Sequence, residues 1–383
     1  MTTAASLQRR GLQARAFHGV SRLFGGLRKA LDSALPPPVR LLQLGSAFWH
    51  SRALYVAARL DLATTLGDAR LAPAELAARA GIDPDACARL LRFLVAVGVF
   101  EMDCDARVAN NAVSAALRSD RRDSVRQLVL MHNAPEMTRA WTEALEDAVR
   151  CGGVPFERVH GCPLYDYLDG HPAFDRLFAR AMDEVGALAG DAFVTALAWD
   201  RFDRVIDLGG GKGAKAAAIL QAHPRLHATI VDRPAVVEQA RAWWQEPPRR
   251  VAAARVAFVE GDLLHDTLPL ASGPRDVFLL SAVLHGLDET AATCLLRRVR
   301  DAVGDSGAVV VVMELVLPDH GVDAAAASID MQMFVGTSGR ERTRAEWAAL
   351  AAAAGFGIKE IVRMPSIGEL IVLCKSASGS RPN

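Results

Sequence analysis

The chain has no excess of either charge: 44 lysines and arginines stand against 44 aspartates and glutamates in 383 residues. A net charge of zero removes the electrostatic case for a nucleic-acid partner, leaving only a local basic face as a route to one. Long apolar runs are missing as well. No stretch approaches the ~20 residues of a membrane-spanning helix. The first thirty residues lack the apolar segment of a secretory signal, so a cytoplasmic protein with no membrane partner is expected. Only six cysteines occur, at 87, 104, 151, 162, 294 and 374. None forms a C-x-x-C pair, which argues against a zinc site or a redox couple, and no metal is expected. Scattered thiols fit a reducing compartment. Aromatics make up 6% of the chain.

What is plentiful is alanine and other apolar residues, 51% hydrophobic against 23% charged. That composition excludes disorder over most of the length, and the length suggests two to three domains. Residues 1–40 read as a basic helical arm carrying Arg9, Arg10, Arg15, Arg22, Arg28 and Lys29, with no acid before Asp32. An organelle transit peptide or a surface-binding helix would share that character. Pro36, Pro37 and Pro38 are expected to end the arm.

Residues 41–120 follow a helix, turn, helix, hairpin pattern. One helix runs from Ala72 to Ala80 and stops at Gly81; the next opens at Asp83-Pro84, where Asp83 can cap the free N–H groups. It continues through Cys87, Leu90, Leu91 and Leu94 to Gly98, and a small hairpin follows around Asp103 and Asp105. This is a winged-helix pattern. Its second helix offers only Arg89 and Arg92 on an apolar series, too few for reading DNA, so packing against another helix or subunit is expected instead. Residues 121–200 read as a helical linker with an acceptor pocket, where Trp141, Phe156, Tyr165, Tyr167, Phe174 and Phe178 concentrate the aromatics.

From residue 201 to 383 the character changes. Strand-like runs at 204–208, 228–231, 256–259, 276–280 and 308–312 alternate with helices at 214–221, 234–244 and 289–303. After a helix over 344–354 come strands at 358–363 and 369–375, too tightly linked for a crossover and therefore antiparallel. Alternation of this kind implies a parallel sheet covered on both faces. The strongest motif is Val205-Ile-Asp-Leu-Gly-Gly-Gly-Lys-Gly213, a glycine loop between a strand and a helix N-terminus, where open α/β sheets bind ligands. Gly209, Gly211 and Ala214 also satisfy the dinucleotide pattern, so a nicotinamide enzyme is an alternative. Against it, Asp207 precedes the glycines, where a carboxylate suits an ammonium better than a pyrophosphate. Asp232 ends the second strand and can accept ribose hydroxyls; Asp262 follows the third and can meet an adenine amine. Amino-acid end, ribose and adenine in that order describe S-adenosylmethionine.

These residues carry a resemblance. Asp207-Leu-Gly-Gly-Gly-Lys-Gly213, Val231-Asp-Arg-Pro-Ala-Val-Val237, Gly261-Asp-Leu-Leu264, Ser281-Ala-Val-Leu-His285, Glu314-Leu-Val-Leu-Pro318, Asp330-Met-Gln-Met333 and Gly339-Arg-Glu-Arg-Thr343 resemble the class I small-molecule O-methyltransferases. This is the group of plant caffeate and flavonoid enzymes and bacterial polyketide and phenazine enzymes. The resemblance covers about residues 40–375. It implies an α/β fold: a Rossmann-like, seven-stranded class I methyltransferase sheet with an N-terminal, all-helical winged-helix dimerisation domain. It also implies a homodimer with a small aromatic substrate, and S-adenosylmethionine held by Asp207, Gly209, Gly211, Gly213, Asp232, Arg233, Asp262, Leu263 and Ser281. His285 would be the general base, with Glu314 and Glu341 orienting it or stabilising its cation. Met131, His132, Met182, Met331 and Phe334 would line the acceptor pocket, a mixture that equally suits an ordinary core. The chain reads His285-Gly-Leu-Asp288 where relatives often carry a tryptophan two residues after the histidine. N-methylation, or methyl-neutral chemistry such as hydroxylation, decarboxylation or a pericyclic step, stays open on the same scaffold.

Overall fold

The structure, a computed structural model, describes residues 34–376 apart from Pro248 and Ile367. The basic arm expected before Pro36 lies outside the described residues except at its end. There Pro37 starts a helix, Pro37–Arg59. Proline's missing N–H falls in the first turn, where no intrahelical partner exists anyway.

The described residues divide into two compact units, one holding 34–150 together with 156–188, the other holding 151–155 and 189–376. In the first, helices Pro73–Ala80 and Pro84–Ala96 pack over a hairpin of β1 (Phe100–Met102) and β2 (Val108–Asn110). The expected cap is present: Asp83 accepts the Ala86 N–H at 2.8 Å. Leu62, Leu66, Leu76, Leu91, Leu94, Phe100 and Val108 form the core of this unit. The wing foreseen at Asp103 and Asp105 is the turn of that hairpin. Further along, Phe156 and Phe174 are buried, and Tyr167 stacks on His171 with ring centroids 3.6 Å apart.

The second unit is a seven-stranded sheet. Its strands are β3 (Arg204–Leu208), β4 (His227–Asp232), β5 (Val256–Glu260), β6 (Asp276–Ser281), β7 (Val309–Glu314), β10 (Phe356–Arg363) and β11 (Glu369–Lys375). Their order is β10-β11-β7-β6-β3-β4-β5, with β11 antiparallel to both neighbours. A two-residue parallel pair, β8 (Val316–Leu317) with β9 (Arg342–Thr343), was not foreseen. Alternate side chains of each central strand enter different cores. Ile206, Leu208, Phe278, Leu280, Val310 and Val312 join the helices Glu289–Val303 and Arg344–Ala353. Val205, Val277, Leu279, Val311 and Leu370 join Ile219, Leu220 and Trp244. Both faces are covered, as a parallel sheet requires.

From β3 the chain proceeds outward to β4 and β5, then crosses back to place β6 on the other side of β3. The strand order reverses there, and the crevice at the carboxyl ends of β3 and β6 is the place where such sheets bind ligands. The glycine loop and Ser281–His285 both leave the sheet at that point.

Candidate active site

The glycine loop is built around Asp207. This carboxylate is 1% exposed, and among the described residues neither oxygen has a hydrogen-bond partner. Burial pushes its pKa up to about 7; nearby Lys215 opposes that and Asp232 adds to it. Gly210 must be a glycine, since a Cβ there would lie 2.7 Å from the Asp207 carboxylate. Gly209 and Gly213 have φ of +70° and +84°, and a Cβ on either would strike Val283 or Ile230. At Gly211 (φ +59°) the space beyond the backbone is open. Asp232 Oδ2 accepts the Gly211 N–H at 2.8 Å, and Oδ1 accepts that of Arg233. Burial raises the Asp232 pKa against these two bonds. Leu263 lies beside Gly209. Asp262, beyond β5, is half-exposed; it accepts the Leu264 N–H at 2.7 Å and faces His265 at 3.0 Å. Ser281 ends β6. A buried anion without a partner, beside a loop open at one glycine, fits a cofactor that brings an ammonium group.

The second cluster is His285, Glu314 and Glu341, residues far apart in sequence that the fold brings together. His285 Nδ1 is 2.8 Å from Glu341 Oε1 and 3.6 Å from Glu314 Oε2. Both carboxylates are buried, while the imidazole keeps a fifth of its surface open. With Nδ1 engaged, Nε2 is the nitrogen free to meet an acceptor. Burial would lower the His285 pKa, but the Glu314 charge and the Glu341 hydrogen bond and charge outweigh it and hold the pKa at about 9. Glu314 is itself pushed up by burial, with His285 acting the other way. Glu314 has a further task that its sequence position did not reveal. Its Oε1 accepts the backbone N–H groups of Val283 and Leu284, each at 2.9 Å, fixing the start of the turn that carries His285. Ligand atoms of the three residues lie within 4.8 Å of one another, a spacing a divalent cation would also accept. However, the ring nitrogen nearest the carboxylates is already committed to Glu341.

The residues expected at an acceptor pocket fall on three helices: Met131 and His132 on Arg126–Asn133, Met182 on Pro172–Ala189, and Met331 and Phe334 on Ala324–Gly336. Met131 is buried in the manner of a core residue, whereas Met182 and Met331 are exposed. His132 reaches solvent, yet it is crowded enough that desolvation pulls its pKa below the ordinary histidine value.

Residues 141–357 match the family model of the O-methyltransferase domain, and residues 42–120 match that of the O-methyltransferase dimerisation domain. The phenazine O-methyltransferase PhzM of Lysobacter antibioticus is 32% identical over 329 residues, covering 86% of this chain and 94% of its own. The phenazine-1-carboxylate N-methyltransferase of Pseudomonas aeruginosa is 33% identical over 345 residues, covering 90% and 99%. Among solved structures, an O-methyltransferase from neocarzinostatin biosynthesis, in complex with S-adenosylmethionine and 2-hydroxy-5-methyl naphthoic acid, superposes with a TM-score of 0.73 at 28% identity. It covers 85% of this chain and 96% of that one. Sheet order, buried anion, imidazole cluster and both domain matches agree: this chain belongs to the class I, S-adenosylmethionine-dependent O-methyltransferase family, as an enzyme with the family's dimerisation domain at its N-terminal side.

Proposed function

We propose that the enzyme moves a methyl group from S-adenosylmethionine to a hydroxyl of a small aromatic secondary metabolite, with His285 as general base. The observation that carries this reading is the 2.8 Å contact of His285 Nδ1 with a fully buried Glu341. A buried carboxylate on one nitrogen orients the ring and leaves Nε2 to take a proton. A phenol has a pKa of about 10, close to the value of about 9 for His285. Proton transfer between such matched groups is nearly level in energy. S-adenosylmethionine supplies an electrophilic methyl on a sulfonium. The chain's residues hold that cofactor and move the proton. Asp207 receives the ammonium end, the loop of Gly209, Gly211 and Gly213 lets the backbone approach, and Asp232 with Arg233 holds the ribose. Asp262, Leu263 and Ser281 border the adenine. With the cofactor bound, His285 would take the hydroxyl proton on Nε2, and Glu341 and Glu314 would balance the imidazolium that results.

Met131, His132 and Met182 are proposed as acceptor-facing residues of segment 121–200, and Met331 and Phe334 as acceptor-facing residues of the helix Ala324–Gly336. Residues 41–120 serve dimerisation and 201–383 hold the cofactor. Six free cysteines support a reducing, cytoplasmic setting. Among the described residues no helix is long and apolar enough to cross a membrane.

The likeness to a phenazine N-methyltransferase supports a second reading, methyl transfer to nitrogen. One substitution separates the two. His285→Ala should lower turnover by roughly 10² to 10⁴ if a hydroxyl must be deprotonated. An acceptor nitrogen that is already nucleophilic would lose less than tenfold. The acceptor itself is found by incubating the enzyme with methyl-labelled cofactor and an extract of its source, then isolating the labelled product.

A further inference from the structure

Arg342 has no side-chain surface open to solvent, yet it carries a full charge. Burying a guanidinium costs several kcal/mol unless its donors are met. Here they are met in one small region. Nη1 donates to the Leu284 carbonyl at 3.0 Å, Nη2 donates to the Leu287 carbonyl at 3.2 Å, and Nη2 also reaches Glu289 Oε2 at 3.1 Å. The Trp347 ring lies 5.3 Å from the guanidinium carbon. Leu284 and Leu287 flank His285. The turn between them is a single 3₁₀ turn, Leu284–Gly286, whose own bonds are long: Gly286 N–H to the Val283 carbonyl at 3.2 Å and Leu287 N–H to the Leu284 carbonyl at 3.3 Å. The chain enters it through Ala282 in the left-handed region, at φ +55°, which a residue with a Cβ adopts only when its surroundings hold it there. Such a turn does not hold its shape alone.

We infer that Arg342 is a positioning residue for His285: with Glu314 on the N–H side and Arg342 on the carbonyl side, the turn is gripped from both ends and the imidazole is set against Glu341. Gly339 completes the grip, because a Cβ there would overlap the His285 carbonyl oxygen. Segment 339–342 thus touches the base twice, through a peptide contact at Gly339 and a ring hydrogen bond at Glu341, and holds the turn on either side of it through the Arg342 fork. A neutral residue of similar volume would fill the same space at lower desolvation cost. The use of a cation on these two carbonyls is accounted for by the precision a base requires, since a displacement of about 1 Å at a reacting group costs about a hundredfold in rate.

The inference rests on His285 as the base, and the test separates the two. The full-length enzyme is labelled with ¹⁵N-histidine, saturated with S-adenosylhomocysteine, and the His285 ring is titrated by NMR. The charged groups facing that ring are Glu314, Glu341 and Arg342. In Arg342→Met the turn is released, the Glu341 bond is lost, and the His285 pKa is expected to fall from about 9 toward the ordinary histidine value, with the fixed Nδ1–H tautomer lost as well. Arg342→Lys keeps the charge but not the fork and should move both readings the same way by a smaller step, which decides the matter if the methionine variant does not fold. An unchanged pKa, or a rise from loss of a neighbouring positive charge, would overturn the inference. Full methyl transfer by His285→Ala would instead overturn the base assignment and leave the NMR result standing as a statement about the turn.

Discussion

At His285 the opposing effects are a burial that disfavours the cation and two buried carboxylates that favour it, and the carboxylates win. The consequence is a pH dependence. A base must be neutral to accept a proton, and a pKa raised to about 9 leaves most of the imidazole protonated at pH 7. Turnover per cofactor-bound enzyme should therefore rise with pH by up to about tenfold per unit, levelling near pH 9. The limb belongs to the coupled trio rather than to one group. Glu341→Gln removes the charge and turns one carboxylate oxygen into an amide donor, so the limb should shift to lower pH while the plateau falls. A pH–rate profile of both proteins on the isolated acceptor checks this. A wild-type limb in the ordinary histidine range would count against the geometry.

At the scale of the element, the β3–loop–helix unit stores an unpaired anion. Because folding raises the Asp207 pKa from 3.8 to about 7, the folded state binds the extra proton between those values. Its contribution to stability is therefore fully present below pH 3.8 and lost as pH rises through 7. Ligand binding has the opposite slope, because an ammonium group prefers the ionised carboxylate. Affinity for S-adenosylhomocysteine should rise by about tenfold between pH 6 and pH 8. Calorimetry at the two pH values tests this, and Asp207→Asn should bind more weakly with the slope removed. A slope that persists in the asparagine variant would place the titrating group elsewhere.

At the scale of the molecule, the helix Pro37–Arg59 is packed on its own chain along its C-terminal half, where Ala53 and Leu54 are half-buried and Ala57 and Ala58 are buried. Leu41, Leu42, Leu44, Phe48 and Trp49 are each more than half exposed among the described residues, Leu42 at 73% and Trp49 at 66%. A face this apolar is consistent with the dimerisation domain matched over residues 42–120. In a two-fold interface each substitution acts twice. The double variant Leu42→Glu, Trp49→Glu should be monomeric at micromolar concentration by light scattering while each subunit still binds S-adenosylhomocysteine. A variant that remains dimeric would move the interface off this helix.

Local sequence alone determined the alternation of strands and helices after residue 203 through its periodicity, the antiparallel closing hairpin through its short link and the Asp83 cap through its side chain, because each depends on neighbours close in sequence. The glycine loop was legible for the same reason: Gly209 to Gly213 is one local turn whose backbone needs positive φ. His285, Glu314 and Glu341 were named from a resemblance, but their contact was not readable from spacing, since the turn after β6, the end of β7 and the segment entering β9 supply them. Arg342 stood inside a recognised motif with no role, because a buried cation gives no signal in sequence that separates it from a surface one. Its carbonyl partners lie more than fifty positions away. The same holds for Glu314, whose grip on the Val283 and Leu284 amides exists only once β6 and β7 lie side by side. Sequence sets local geometry and the inventory of charges. Which charges meet, and which one is left unpaired, as at Asp207, is decided when distant strands align in register and exclude water.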